Sequence, residues 1–348
     1  MAICTDLWDP ASQLYTNPLM QKGLSADTSA AYGLMGFYGN NPLMKLVLKG
    51  KFPKCTYMSV QIYRGRTQTA VGVGAALSDY RINPSSGLNR FQTHNPNDVG
   101  DFEIEITPDQ TPAPNRIWYD PVPGTSDISL ISAFYRVFQP DGPFSFADLP
   151  QIEARNFQTN AVLPCPTAAR LDWYLDIPEP VMVILNSVIP KQNPLTFHLR
   201  DEAPGTNQDA TYMFSYSNIP VGEVAVIKFR APALDFASQS ALTNAVRYWS
   251  ICPIYWPMLK TLNGVPCDWT RPLERDVTVV FGPKKPSILA KAASLNADFL
   301  PDTRTATQQV MGFIVRNVLP SPTFEPLMYK NQFLPRGDVY TEQQFLNL

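Results

Sequence analysis

The sequence predicts an all-β protein with minor helix, built from two jelly-roll or β-sandwich-like domains related by internal duplication. Three observations support this fold class. Short segments alternate apolar and polar residues with a period of two, and each break carries Pro, Gly, Asn or Asp. The chain has 34 prolines, which interrupt helices, and 11% aromatic residues. The same order of segments also recurs after roughly 180 residues, which is too long for a solenoid repeat.

The first half begins with an irregular arm over residues 1–25. Residues 27–38 fit either a short helix or a strand, because three glycines weaken the helix. Residues 46–51 and 57–63 alternate as half-buried strands do.

The rest of the first half continues the strand pattern. Residues 79–91 begin as a strand and end in a Pro-Ser-Ser-Gly turn, and the segments 102–106 and 128–138 are further strands. We therefore assign residues 1–150 to a first β-domain with its arm.

Residues 151–205 form the predicted connector, which packs on both halves and includes a strand at 181–188. Residues 206–348 form the second β-domain. An amphipathic helix is predicted near 287–300, with Ser287 as its N-cap and Pro301 after its end.

The repeat separates shared from unshared residues. Three basic pairs recur in both halves and are assigned to the scaffold: Lys49 with Lys228, Lys51 with Arg230, and Arg136 with Arg316. Unshared aromatic and basic residues are better candidates for a site.

The composition limits the class of partner. The net charge is −2, which argues against nucleic acid, since phosphate neutralisation needs a basic patch. The longest apolar stretch, 181–185, is far too short to span a bilayer. Five scattered cysteines without a CxxC pair, and an N-terminus without a signal-peptide pattern, predict a cytoplasmic protein with reduced, buried thiols.

Motifs for metal, nucleotide and nucleophilic chemistry are absent from the sequence. His94 and His198 have no metal-ligand spacing and are interpreted as structural histidines. The two glycines of residues 71–75 do not complete a dinucleotide fingerprint, and no Walker A or GxSxG sequence occurs. We therefore predict no cofactor and no metal.

Aromatic residues and a few arginines remain as candidates for a site. Core packing is the ordinary role of any single aromatic residue, whereas a group of them with oriented donors is typical of a pocket for a hydrophobic ligand. The predicted catalytic residues are Tyr57, Arg247 and Tyr255. The predicted substrate-binding residues are Trp249, Trp256, Tyr63, Trp173, Arg64 and Tyr212.

Several segments resemble an uncharacterised family of bacterial and fungal proteins. The family patterns are N-A-D-T-x-Y, R-Y-W-S and R-N-M-L-P, which correspond here to residues 207–212, 247–250 and 316–320. First-half segments 56–59 and 77–84 are similar to its R-Y-x-S and L-x-D-x-x-I-x-P patterns. Gln208 and Ala210 depart from the family pattern, as does Thr56. The resemblance implies paired β-sandwich domains and no established activity.

These observations lead to a functional hypothesis. We expect a cofactor-independent enzyme of specialised metabolism that cyclises (by a pericyclic, Diels–Alder-type reaction) or isomerises a hydrophobic small molecule in an aromatic-lined pocket. A non-catalytic carrier of an apolar ligand and a structural or interaction protein are the alternatives. The sequence leaves the substrate and the oligomeric state open.

Overall fold

The computed structural model describes residues 3–8, 27–65, 69–70, 76–169, 188–200, 207–236, 245–255, 260–261, 264–304 and 310–348. The fold is all-β with minor helix, as predicted. The chain divides into two compact units. Unit 1 comprises Met1–Met20, Ala30–Trp173 and Glu202–Asp209, and unit 2 comprises Gln21–Ser29, Tyr174–Asp201 and Ala210–Leu348.

The described residues of unit 1 form ten strands in two sheets. They are β1 (Ala30–Tyr38), β2 (Met44–Lys51), β3 (Tyr57–Arg64), β4 (Thr69–Ala70), β5 (Ala76–Ser78), β6 (Pro84–Gly87), β7 (Gly100–Thr107), β8 (Arg116–Trp118), β9 (Leu130–Phe138) and β10 (Gln151–Asn156). One sheet has the order β1-β9-β3-β4, with β5 also paired to β3. The other has the order β10-β2-β7-β6, with β8 parallel to β7.

The two sheets of unit 1 share a hydrophobic core. Strand β7 buries Phe102, Ile104 and Ile106, while the residues between them are more exposed. The ring of Phe102 lies 6.5 Å from the ring of Tyr135 on β9, so side chains of the two sheets meet inside the sandwich.

Thirteen strands lie in the described part of unit 2. They are β11 (Leu195–Thr196), β12 (His198–Arg200), β13 (Ala210–Asn218), β14 (Val224–Ala231), β15 (Ala233–Leu234), β16 (Ala245–Val246), β17 (Tyr248–Tyr255), β18 (Lys260–Thr261), β19 (Val265–Pro266), β20 (Arg275–Gly282), β21 (Asp298–Pro301), β22 (Val310–Val318) and β23 (Arg336–Tyr340). One sheet has the order β12-β13-β22-β17-β18, and β19 also pairs with β17. The other has the order β11-β23-β14-β20-β21. Strands β15 and β16 form a separate two-stranded sheet. Ring contacts between Phe281 and Phe313 join the two large sheets.

The helical segments are short. Within the described ranges, the α-helices are α1 (Arg90–Thr93), α2 (Pro286–Ser294) and α3 (Glu342–Leu346), and the 3-10 turns are Thr5–Leu7, Asp79–Arg81, Asp127–Ser129, Phe146–Asp148 and Asn331–Phe333. Helices α2 and α3 bury Ile288, Ala292 and Phe345 against Val226 and Val280 of β14 and β20.

The predicted helix of unit 2 is shorter than expected and its cap is different. Pro286 is the first helical residue and Lys285 is the N-cap, so the assignment of Ser287 as N-cap is wrong. The helix ends near Leu295 because Asn296 adopts a left-handed conformation, with φ of 51°. Phe299, which falls within the predicted helical range 287–300, lies in β21.

Most predicted strands are confirmed, and one segment is corrected. Residues 27–38 contain strand β1, which settles the choice between helix and strand. In residues 79–91, however, the Asp79 carboxylate accepts hydrogen bonds from the backbone of Met58 and Tyr80, which fixes a 3-10 turn. The supposed turn beginning at Pro84 is instead strand β6, at a sheet edge where proline is tolerated. The predicted strand at 181–188 lies almost wholly outside the described residues.

The two units have corresponding strand orders. Sheet β1-β9-β3-β4 matches β13-β22-β17-β18, and β10-β2-β7 matches β23-β14-β20. In each unit a short strand also pairs in parallel with the equivalent strand, β8 with β7 and β21 with β20. This agreement is what a duplication would produce, and the duplication itself stays a prediction.

The expectation of five reduced thiols is wrong. Cys4 and Cys165, 161 residues apart, form a disulfide within unit 1. The backbone amide of Cys4 donates to Ile152 at the edge of β10, so the bond ties two segments to one side of the sandwich. Disulfides are typical of oxidising compartments, so the cysteines no longer support the prediction of a cytoplasmic location. The other three cysteines are free and buried.

Candidate functional site

A buried tyrosine and a carboxylate lie together on one face of unit 1. The Tyr57 hydroxyl donates to Asp209 Oδ2 over 2.6 Å, and the Ser78 hydroxyl reaches the same oxygen over 2.6 Å. Asn207 contacts the Tyr57 oxygen through both its amide nitrogen, at 3.0 Å, and its amide oxygen, at 3.2 Å. We call Tyr57, Ser78, Asn207 and Asp209 the Tyr57 cluster.

Local structure explains why these side chains converge. Strand alternation places Tyr57 and Ser59 on the same face of β3, and Ser59 lies opposite Ser78 of β5. The Asn207 side chain accepts from the Asp209 amide in a compact turn, and the Gln208 amide donates to Gln61 on β3. The turn therefore presents the Asp209 carboxylate to the Tyr57 hydroxyl.

The electrostatics keep Tyr57 neutral. Burial raises the pKa of Tyr57 well above its usual value, and the neighbouring Asp209 charge raises it further. Asp209 is only partly buried and accepts two hydroxyl hydrogen bonds. The pair thus combines a protonated phenol with an ionisable carboxylate, which are the two groups that proton transfer requires.

An arginine lies farther along the same face. Arg136 on β9 donates to Gln61 over 3.1 Å and to the Tyr63 hydroxyl over 2.5 Å. Its guanidinium lies 4.8 Å from the centre of the Phe134 ring. Tyr63 is therefore held by a cation on the face that carries Tyr57.

Unit 2 contains a second tyrosine–carboxylate group. Asp27 accepts from the Tyr248 hydroxyl over 2.9 Å and makes a short hydrogen bond with Ser250, while Arg316 lies 3.7 Å away. Asp27 is completely buried, unlike Asp209. Burial and the Asp27 charge raise the pKa of Tyr248. Since Arg316 compensates the carboxylate, this group is suited to holding structure.

The two thiols of unit 2, Cys252 and Cys267, are buried. Burial raises the pKa of Cys252 to about 11 and that of Cys267 to about 12. A thiol with such a pKa contains little thiolate near neutral pH.

Several predicted site residues of unit 2 lie inside its packed core. Arg247 is fully buried and its guanidinium lies 5.2 Å from the centre of the Phe236 ring. Trp249 is 1% exposed and packs edge-on against Phe229. Tyr255 is buried at the end of β17.

The remaining predicted residues have mixed positions. Tyr212 lies opposite Arg316 on the β13–β22 pair. Arg64 donates to the carbonyl oxygens of Asp120 and Ile128, at 2.5 and 2.7 Å, and so fixes backbone. Trp173 and Trp256 lie outside the described residues. Tyr57, Tyr63 and Arg64 belong to unit 1, whereas Arg247, Trp249, Tyr255 and Tyr212 belong to unit 2.

Sequence reasoning missed the polar partners of the tyrosines. Asp27, Ser78, Asn207 and Asp209 were not proposed as site residues. A signal for three of them was present, since Asn207 and Asp209 occupy the N and D positions of the N-A-D-T-x-Y pattern and Ser78 lies in the L-x-D segment. Asp27 had no such signal.

Two large cavities occur as open grooves, one in each unit. The cavity of unit 1 has a volume of about 950 Å³ and is lined by charged residues such as Lys49, Lys51 and Asp101. The cavity of unit 2 has a volume of about 930 Å³ and includes Lys228 and Arg336. Neither groove is lined by a predicted site residue.

The described residues contain neither a metal-binding cluster nor a helix suited to cross a membrane. Within those ranges, no group of three or more His, Cys, Asp and Glu side chains is placed to hold a metal ion. No helix in the described part of the chain combines the length and apolar character needed to cross a membrane.

One solved structure with a similar fold belongs to a protein described as uncharacterised. No family model matches the sequence, and no curated protein matches it. An uncharacterised protein from Burkholderia cenocepacia has a TM-score of 0.56 and 14% identity, over 94% of this chain and 79% of that one. The VPA0106 protein from Vibrio parahaemolyticus has a TM-score of 0.42 and 12% identity, over 91% of this chain and 90% of that one. The first likeness supports the fold alone. The description of the Burkholderia cenocepacia protein as uncharacterised agrees with the expected resemblance to an uncharacterised family of no established activity.

Proposed function

We propose that the protein is a cofactor-independent enzyme that isomerises or cyclises a hydrophobic small molecule. The observation that carries the proposal is the 2.6 Å contact between the neutral Tyr57 hydroxyl and the partly buried Asp209 carboxylate. Specialised metabolism is the proposed setting, by analogy with other β-rich proteins recruited to such steps.

The chemistry needs only these two groups. The Asp209 carboxylate takes a proton from a carbon next to a substrate carbonyl, and the electron pair moves to the carbonyl oxygen. The Tyr57 hydroxyl then donates to that oxygen instead of to Asp209, which stabilises the developing charge. Asp209 returns the proton to another carbon, or the electron pair attacks a second carbon and closes a ring before proton return. No electron is gained or lost, so no redox cofactor is required.

Asn207 and Ser78 act as positioning residues in this scheme. Asn207 donates to the Tyr57 oxygen and orients the phenol, while Ser78 holds Asp209.

The direct test uses small molecules from the source of the protein. The wild-type protein is incubated with an organic-soluble extract, and reactants and products are followed by chromatography and mass spectrometry. We expect at least one compound to be converted to an isomer of the same mass by the wild type. Asp209→Asn should lower the rate by at least roughly a hundredfold, and Tyr57→Phe by a smaller factor.

Folding is controlled by measuring the melting temperature of each variant. Asp209→Asn keeps an oxygen that accepts from Tyr57 and Ser78, so its melting temperature should stay close to wild type. Identical conversion with wild type, with Asp209→Asn and without protein would refute the enzymatic proposal.

A carrier function is the second candidate, and the grooves favour it. Each groove is large enough for a drug-sized ligand, for which cavities of roughly 300–1,000 Å³ are usual. If the protein is a carrier, a compound should co-purify with it and be released unchanged in mass and structure. Native mass spectrometry detects the bound compound.

A further inference from the structure

Two cations lie directly opposite each other in the groove of unit 2. Lys228 on β14 pairs in register with Arg336 on β23, and both side chains are exposed. On its other side Lys228 faces the neutral Thr278. Like charges directly opposite each other on antiparallel strands destabilise a sheet, so this arrangement has a cost.

Two carboxylates of the same groove, those of Asp276 and Asp338, contact other residues. Asp276 lies 3.4 Å from Arg230, and Asp338 interacts with the Tyr340 hydroxyl. Among the described residues, neither Lys228 nor Arg336 forms an ion pair within 4 Å.

The equivalent row of unit 1 is neutralised. Lys49 lies opposite Glu103 and Gln151, and it forms ion pairs with Glu103 over 3.5 Å and with Glu153 over 3.2 Å. In unit 2, Thr278 replaces that glutamate and Arg336 replaces that glutamine. The ion pairs of Lys49 agree with its assignment to the scaffold. Lys228 forms no such ion pair among the described residues.

The surroundings of the cation pair are partly apolar. Leu295, Leu334 and Tyr340 line the same groove, whose volume is about 930 Å³. A groove lined by two opposed cations and by apolar side chains matches a molecule with an anionic head and an apolar body.

We propose that the unit 2 groove binds a small organic carboxylate with an apolar chain. The carboxylate lies between Lys228 and Arg336, where the planar guanidinium can contact both oxygens and the ammonium adds a second charge. The chain lies along Leu295, Leu334 and Tyr340. This site shares no residue with the Tyr57 cluster, so it stands or falls apart from the proposed enzymatic activity.

Titration calorimetry with octanoate tests the proposal on the full chain at low salt. Octanoate should bind saturably at one site, whereas octanol and inorganic phosphate should each bind at least roughly tenfold more weakly. Lys228→Gln and Arg336→Gln should each weaken octanoate binding at least about tenfold. The matched variant Lys49→Gln in unit 1 should leave it unchanged.

Stability distinguishes a binding role from a structural one. Because each substitution removes like-charge repulsion, the melting temperature without ligand should stay equal to wild type or rise. Octanoate binding that survives both unit 2 substitutions, or that octanol equals, would overturn the proposal. A fall in melting temperature without a change in octanoate affinity would also overturn it.

Discussion

Two tyrosines at equivalent strand positions each hold an aspartate, but in different surroundings. Tyr248 holds Asp27, which is completely buried and lies 3.7 Å from Arg316. Tyr57 holds Asp209, which is partly exposed. A completely buried carboxylate beside an arginine is out of a ligand's reach, whereas a partly exposed one is accessible to a ligand. This difference is why we place the chemistry at Asp209.

The core position of Trp249 gives a stability prediction. Trp249→Ala removes an aromatic side chain that is 1% exposed and contacts Phe229, so we expect a loss of about 3–5 kcal/mol in the free energy of unfolding. Chemical denaturation measures this loss, and Leu273→Ala, at a residue 78% exposed, serves as the control. A Trp249→Ala protein as stable as the control would show that the indole lines an open site.

Of the four residues in the Tyr57 cluster, only Tyr57 itself was predicted from the sequence. Tyr57 stood out because of its aromatic ring and its place in a recurring segment. Asp209 lies some 150 residues from Tyr57 in the chain, and only the fold brings the two together. Pairings of this kind depend on tertiary structure and have no local pattern.

At the scale of the element, strands were predictable where one face is buried. The alternation of residues 102–106 gave β7, because a period of two marks a strand with one face in the core. The 3-10 turn at Asp79 was missed because its side chain bonds to the backbone of β3, which is remote in sequence. The end of α2 was missed because a left-handed asparagine, and not the later proline, stops the helix.

Two buried thiols, Cys252 in strand β17 and Cys267 in the segment after it, should make the stability of unit 2 sensitive to alkaline pH. The pKa of Cys252 is raised to about 11 and that of Cys267 to about 12, against an ordinary value near 9. A folded-state pKa above the unfolded one gives stability that is present below about pH 9. That stability is lost as the pH rises toward the folded values.

Thermal unfolding measured between pH 8 and pH 11 tests this dependence. The melting temperature should fall across the range, and Cys252→Ala should fall less steeply than wild type, because it has one thiol fewer to ionise. Parallel curves for the two proteins would contradict the assignment.

At the scale of the whole molecule, the two units share a strand order and differ in the disulfide and the helices that accompany their sheets. The repeated order of segments predicted two similar β-rich halves, and the sheet topology agrees. Unit 1 has the disulfide between Cys4 and Cys165, and helices α2 and α3 cover part of a sheet in unit 2. The disulfide could not be predicted because spacing alone does not identify which cysteines meet.

Reduction of the disulfide should weaken unit 1. Cross-linking residues 161 apart restricts the unfolded chain, and by loop length this contributes about 5 kcal/mol. The melting temperature should therefore fall in dithiothreitol, and Cys165→Ser should show the lower value with or without reductant. An unchanged melting temperature in both experiments would mean that the bond is not formed in solution.

The central claim is that Asp209 moves a proton at carbon, and solvent deuterium tests it most directly. Wild type and Asp209→Asn are each incubated with the organic-soluble extract in D₂O, and the mass of every compound is followed. The account predicts that the wild type places deuterium in a substrate or its isomer, and that Asp209→Asn does not. Conversion by the wild type without deuterium uptake, or equal uptake with both proteins, would contradict it.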